Sequence, residues 1–227
     1  MSEHAIDIAP AEKPPIAQPT KSSLMKVGER GIQLSTVEEM LVFAGAVIDS
    51  GLAPYSFKNK QAVLVAIQYG AELGLPPMAA LQNIAVINGR PTVWGDAVPG
   101  IGNASGLIED YKQEEIGEPD KDSWGFRVTI KRKGRSEPIV STYTVAHAKR
   151  AKLWGKTGRD GQPTPWITSP DRMLLNRART FAYRDAVPEK MRGLVTAEEA
   201  RDLPMKNVTR SLDDIDRTPD ELRQDSQ

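Results

Sequence analysis

From Leu34 onward, hydrophobic and polar positions alternate in recognisable periods. Apolar side chains recur at helical spacing from about Val37 to Ile48, with Ser35 and Thr36 able to cap the start and Gly51 and Pro54 stopping the end. A second helical pattern runs from about Asn59 to Leu73. Only Gln61, Gln68 and Glu72 share a polar stripe there, while Val63, Leu64, Val65, Ile67, Tyr69 and Leu73 cover most of the circumference. Such a helix is expected to be buried on most sides. Gly74 ends it, and Pro76-Pro77 block its continuation.

The period then changes from helical to alternating. Asn88-Gly89 sits between two short β-prone runs, and both residues tolerate positive φ, so a two-residue type I′ hairpin is expected. That turn pairs Ile87 with Arg90, Val86 with Pro91, Ala85 with Thr92 and Ile84 with Val93. Alternation puts Ile84, Val86, Pro91 and Val93 on one apolar face, with Ile84, Val86 and Val93 as its anchors, and Asn83, Ala85, Ile87, Arg90, Thr92 and Trp94 on the other. Further strands are expected over 107–116, 124–132 and 139–145. In the middle one Trp124, Phe126, Val128 and Ile130 point inward, and Arg127, Thr129 and Lys131 outward. These three form an antiparallel meander.

A helix follows from about Val145 to Leu153, then a Gly-, Lys- and Pro-rich loop over 155–165. The last strong helix starts at Ser169-Pro170, a cap followed by a proline at the first helical position, and ends near Val187-Pro188. After Gly193, "TAEEARDL" suffices for one or two helical turns. The pattern predicts one α+β domain over 34–203. Residues 1–33, with Pro10, Pro14, Pro15 and Pro19, read as a disordered arm, and 204–227 as an acidic disordered tail.

The formal charge of zero hides a strong asymmetry. Residues 1–57 have a net charge of −3, residues 58–126 −4, residues 127–192 +11 and residues 193–227 −4. A basic centre between acidic ends points to a polyanionic partner. There is no cysteine, which excludes disulfides, thiolate zinc sites and cysteine nucleophiles. No apolar run approaches a membrane span, and no signal pattern opens the chain, so a cytoplasmic protein is expected.

Catalytic constellations are not apparent. His4 lies in the arm, and His147, beside Lys149 and Arg150, has no nucleophile or metal-ligand spacing around it; a structural or phosphate-contacting role is expected. The acidic run Glu114, Glu115, Glu118, Asp120 and Asp122 lacks the glycine-kinked spacing of a calcium loop and reads as a solvated strand end. Glycines 95, 100, 102 and 106 match neither a P-loop nor a dinucleotide fingerprint. No enzyme, metal or cofactor is expected.

The last helix has a more specific composition. Leu174, Leu175, Ala178, Phe181 and Ala182 share one arc, whereas Arg172, Arg177, Arg179 and Arg184 lie opposite, with Asn176, Thr180 and Tyr183. Arginine forks suit phosphate oxygens, and Lys149, Arg150 and Lys152 on the preceding helix add to the charge. Nucleic acid is the natural partner. The alternative is that the arginines pair with the acidic tails.

"AIQYGAELGLPPMAALQNIAVINGRPTVWGD", "AKRAKLWG" and "TPWITSPDRMLLNRARTFAYRDAVPEKMRGLVTAEEA", in that order, resemble the RecT-type single-strand DNA annealing proteins of phages and prophages. The similarity covers roughly residues 36–202. It implies a small antiparallel sheet wrapped by helices, with DNA in a basic groove. It also implies an ATP-independent protein that coats single strands, pairs complements and assembles into rings or helical filaments. Within that reading Arg90 contacts phosphate. Trp94 stacks beside bases, meets a neighbouring protomer or is buried in the core. A phage exonuclease or a host single-strand-binding protein is a further partner class, although only the acidic "SLDDIDRTPDELRQD" is available beyond the core to dock one. A competing reading is a phage structural or assembly protein with a basic interaction face.

Overall fold

A computed structural model describes residues 26–28, 31–158 and 160–203. Most of the arm and the whole acidic tail expected to be disordered lie outside the described residues. The first helix, α1 (Val37–Asp49), begins at a reciprocal capping box, in which Thr36 Oγ1 accepts the Glu39 N–H and the Glu39 carboxylate accepts the Thr36 N–H. Just before it, within the arm read as unstructured, β1 (Lys26–Gly28) and β2 (Gly31–Gln33) pair as a small antiparallel hairpin.

Helix α2 (Lys60–Glu72) is capped by the Asn59 side chain, which accepts the Ala62 N–H at 2.8 Å. It is less enclosed than its composition suggests. Val63, Ala66 and Ile67 are buried, but Val65 is 57 % exposed, because α1 and α3 cover only part of its circumference. Helix α3 (Pro77–Asn83) is an element the periodicity does not predict. The same Pro76-Pro77 that stops α2 starts it, since proline at the first helical position lacks only an N–H that would be unpaired anyway.

Strands β3 (Ile84–Ile87) and β4 (Arg90–Val93) pair in the expected register, with Asn88 at φ +53° and Gly89 at φ +71°. Burial divides this hairpin by root and tip rather than by face. Ile84, Ala85, Thr92 and Val93 at the root are buried, whereas Val86 is 44 % exposed and Pro91 is exposed, so Val86 is not an anchor. The later segment Val195–Thr196 runs along the root's edge, where the Val93 N–H donates to the Val195 carbonyl at 3.1 Å, and the helix that follows it packs against both strands. Buried Thr92 is satisfied by donating its hydroxyl to the Ala85 carbonyl at 2.8 Å.

A 3-10 turn (Gly95–Ala97) and α4 (Val98–Asn103) lead to the meander of β5 (Ile108–Ile116), β6 (Gly125–Arg132) and β7 (Ile139–Thr144), ordered β5-β6-β7 and antiparallel throughout. Val128 and Ile130 face the core and Arg127 faces solvent, as alternation requires. Short helices α5 (Val145–Arg150) and α6 (Pro165–Thr168) precede α7 (Pro170–Ala186), which starts and ends where the Ser169-Pro170 and Val187-Pro188 signals place it. Helix α7 lies across β6 and β7, and α4 covers another side. Leu174, Ala178 and Ala182 are fully buried. The Tyr183 ring packs so closely on Gly102 that a Cβ there would lie 2.2 Å from it. Helices α8 (Pro188–Met191) and α9 (Ala197–Asp202) complete the fold, with α9 against β3 and β4. The result is the expected α+β domain, with small antiparallel sheets wrapped by helices.

Candidate nucleic-acid interface

The four arginines of α7 do not form a solvent-facing row. Arg177 and Arg179 side chains are only 11 % exposed and that of Arg184 25 %, because α7 is central and has protein on both flanks. Their charge is met inside the domain. Arg177 Nη2 donates to Asp202 Oδ2 at 2.5 Å, and its Nη1 lies 3.3 Å from Glu199 Oε1. Arg184 places Nη1 on Glu199 Oε1 at 2.8 Å and Nη2 on Glu199 Oε2, while Nε donates to the Leu194 carbonyl at 3.0 Å. Arg172 pairs with Asp96, and Arg179 Nη2 donates to Asn176 Oδ1 at 2.9 Å, with Asp96 3.8 Å away. Among the described residues, the buried Nε atoms of Arg177 and Arg179 find no acceptor.

Glu199 is the centre of this network. It is the third residue of a capping box opened by Thr196, whose N–H it accepts at 3.0 Å, and the same carboxylate receives Arg184. Burial by itself would raise its pKa, but the bonds from Arg184 and the Thr196 N–H, with the charges of Arg184 and Arg177, outweigh that and hold it below the usual carboxylate range. The pattern T-x-x-E at 196–199 is the sequence signal for this residue; nothing local points to Asp96 or Asp202 as arginine partners.

The other expected cations are differently placed. Arg150 and Lys152 are exposed at the end of α5, and Lys149 Nζ pairs with Asp122 at 2.6 Å. Their chain neighbours Ala151 and Leu153 line a cleft of about 560 Å³ together with Arg177, Arg184, Glu199 and Asp202. Arg177 and Arg184 thus line this concavity, whereas Lys149, Arg150 and Lys152 are exposed next to it in the chain and do not line it. Arg90, at the exposed tip of the hairpin, and Trp94 do not line it. Trp94 is half-buried, with the Arg201 guanidinium 4.7 Å above its ring, so that one ring face is already taken by a cation.

His147 is structural here: its Nδ1 accepts the Thr144 N–H at 3.2 Å at the start of α5. Part of the acidic run also has a structural role, since Glu115 accepts the Trp124 indole N–H at 2.7 Å and Glu114 pairs with Lys112 at 2.9 Å. No group of metal-binding side chains occurs among the described residues, nor is any described helix long and apolar enough to cross a membrane.

The RecT family model matches residues 100–211, a stretch that contains the three-stranded sheet, α5, α7, α9 and every residue named in the cleft. No curated protein and no solved structure matches the chain. The sheet, the arginine helix and the acidic closing helix all lie inside the matched stretch, so residues 100–211 of this chain are similar to the RecT family.

Proposed function

We propose that this protein binds single-stranded DNA and anneals complementary strands during homologous recombination, without ATP and without a catalytic step of its own. The observation that carries this reading is a set of exposed cations, Lys149, Arg150 and Lys152, flanking in sequence the Ala151 and Leu153 that line the cleft, all within the stretch similar to the RecT family. Lys149, Arg150 and Lys152 supply exposed positive charge beside Ala151 and Leu153, and Arg177 and Arg184 line the wall. Exposed cations neutralise backbone phosphates and leave the bases outward for pairing; annealing needs no acid, base or nucleotide. Annealing in this family mode is the work of many copies, in a ring or a helical filament. Val37, Leu41 and Val42 on α1 and Val65 on α2 are apolar side chains left in solvent that a neighbouring copy would cover.

The test mixes complementary labelled strands with the protein in EDTA and without nucleotide, and measures duplex formation. Replacing Lys149, Arg150 and Lys152 together by alanine should leave thermal stability nearly unchanged. The slope of log affinity against log salt should become shallower by about 0.7 for each phosphate that is no longer neutralised. A strict ATP requirement, or no strand pairing at all, would favour an enzyme or a phage assembly protein instead.

A further inference from the structure

Three donors from three separate elements converge on one carboxylate at the end of α9. Lys156 Nζ, in the loop after α5, lies 3.2 Å from Asp202 Oδ1. Trp166 Nε1, in α6, donates to Oδ2 at 3.1 Å, and Arg177 Nη2, in α7, donates to the same oxygen at 2.5 Å. The Arg177 guanidinium also sits 5.9 Å from the Trp166 ring centroid, which helps to fix its plane. We propose that this is an anion site occupied by the protein's own Asp202 at rest, and that a backbone phosphate of a single strand takes the place of the Asp202 carboxylate. The proposal rests on the single-strand-binding reading and names the atoms through which part of that binding occurs.

The chemistry of the exchange is balanced. A phosphodiester carries the same single negative charge as the carboxylate and likewise presents two free oxygens to a fork of donors. A lysine, an indole N–H and an arginine are all donors, so none of them repels the replacement. Arg177 and Asp202 both line the open cleft, as do Ala151 and Leu153 next to the α5 cations in sequence, so a strand lying there reaches the site without crossing the core.

The two ends of α9 are held unequally. Its beginning is fixed by the Thr196–Glu199 box and by the strand-like pairing of Val195 with Val93, and Asn88 Nδ2 donates to the Ala200 carbonyl at 2.9 Å. Its end is held by the Asp202 side chain, by Lys156 Nζ at 3.5 Å from the Asp202 carbonyl, by the Arg201 guanidinium over the Trp94 ring, and by a last helical bond from Leu203 N–H to the Glu199 carbonyl at 3.2 Å. Leu203 is half exposed. Releasing Asp202 thus frees its side chain for exchange and leaves the Arg184–Glu199 pair and the Arg201–Trp94 contact in place.

The test compares the full-length chain with its Asp202→Asn and Lys156→Ala variants. The readouts are binding of a fluorescent oligothymidylate across a salt series, and thermal melting. Asp202→Asn removes the internal competitor without changing side-chain size. It should bind at least about threefold tighter at low salt, because the site no longer has to be vacated. Its salt slope should be steeper than, or equal to, that of wild type. Lys156→Ala removes one donor from a side chain a third exposed, and should make the slope shallower by about 0.7. Unchanged or weaker binding by a folded Asp202→Asn protein overturns the proposal and leaves Asp202 as an ordinary counter-ion. Should Asp202→Asn fail to fold, the Lys156→Ala slope decides: shallower supports the exchange, unchanged overturns it. Absence of single-strand binding by wild type would remove the annealing reading and this proposal together. Wild-type binding with both variants unchanged would remove this proposal alone.

Discussion

Arg184 meets Glu199 with both terminal nitrogens, Nη1 at 2.8 Å from Oε1 and Nη2 on Oε2, and so ties the central helix to the last one. The Glu199 side chain is 10 % exposed and also lies 3.3 Å from Arg177. Removing Glu199 leaves Arg184 largely buried with only the Leu194 carbonyl as acceptor, and Arg177 with Asp202 alone. Glu199→Ala should therefore lower unfolding stability by about 3–5 kcal/mol in a denaturant titration. A loss below about 1 kcal/mol would mean that solvent reaches Arg177 and Arg184 far more freely than their burial implies.

The same residue sets an acid limit. Its folded-state pKa is depressed, so the unfolded chain binds the proton more readily than the folded one. The stabilisation is therefore fully present above the ordinary glutamate pKa of about 4.3. It is lost progressively as the pH falls from there through the folded value. Melting temperatures measured between neutral pH and mild acid should drop in that window, and Glu199→Gln should flatten the drop. Identical pH profiles for the two proteins would assign the acid transition to other carboxylates.

Arg177→Ala and the Lys149/Arg150/Lys152 triple variant should behave in opposite ways. Arg177 is buried between Trp166, Glu199 and Asp202, so its loss should lower the melting temperature before any question of DNA arises. The exposed α5 cations should change the salt dependence of binding and leave melting nearly untouched. Calorimetry on both variants checks this. Unperturbed melting of Arg177→Ala would return that arginine to the solvent-facing role its position on a helical wheel suggests.

Two glycines are constrained for different reasons. Gly89 has open space around it but φ at +71°, so Gly89→Ala should cost about 1–2 kcal/mol through the backbone alone. Gly102 has an ordinary helical backbone, but a Cβ would lie 2.2 Å from the Tyr183 ring, and Gly102→Ala should cost about 1–3 kcal/mol by overpacking. Gly100 is helical with nothing within 4 Å, so Gly100→Ala serves as the control and should be neutral or slightly stabilising. Equal losses at all three would show that these two mechanisms do not distinguish the sites.

Tyr183 offers a spectroscopic check on the packing between α4 and α7. Burial pushes its hydroxyl up to about 12, the neighbouring Tyr111 adds to the rise, and the hydrogen bond with Asn103 at 2.9 Å opposes it. Burial also raises Tyr69, Tyr111 and Tyr143, so in an absorbance titration several tyrosines should ionise above the ordinary range near 10, with Tyr183 the last. Tyr183→Phe should remove that late component.

Local signals determined the elements that local chemistry can specify. Asn88-Gly89 imposes the hairpin register because both residues accept positive φ, and Ser169-Pro170 and Val187-Pro188 bound α7 because proline suits only a helix's first turn. Strict alternation placed Val128 and Ile130 in the core and Arg127 outside it. Only the tertiary structure decided which side of α7 meets solvent. A helical wheel records direction around one axis, but burial depends on what stands at each direction. Here Asp96, Glu199 and Asp202, from elements far away in sequence, meet the arginine side and neutralise it. The hairpin shows the same limit: Val86 and Val93 share a face by alternation, yet only Val93 is buried, because Val195–Thr196 lines the root and leaves the tip open. Charge type and spacing were legible along the chain. Whether a charge faces solvent or a partner depends on long-range packing, which no local pattern contains.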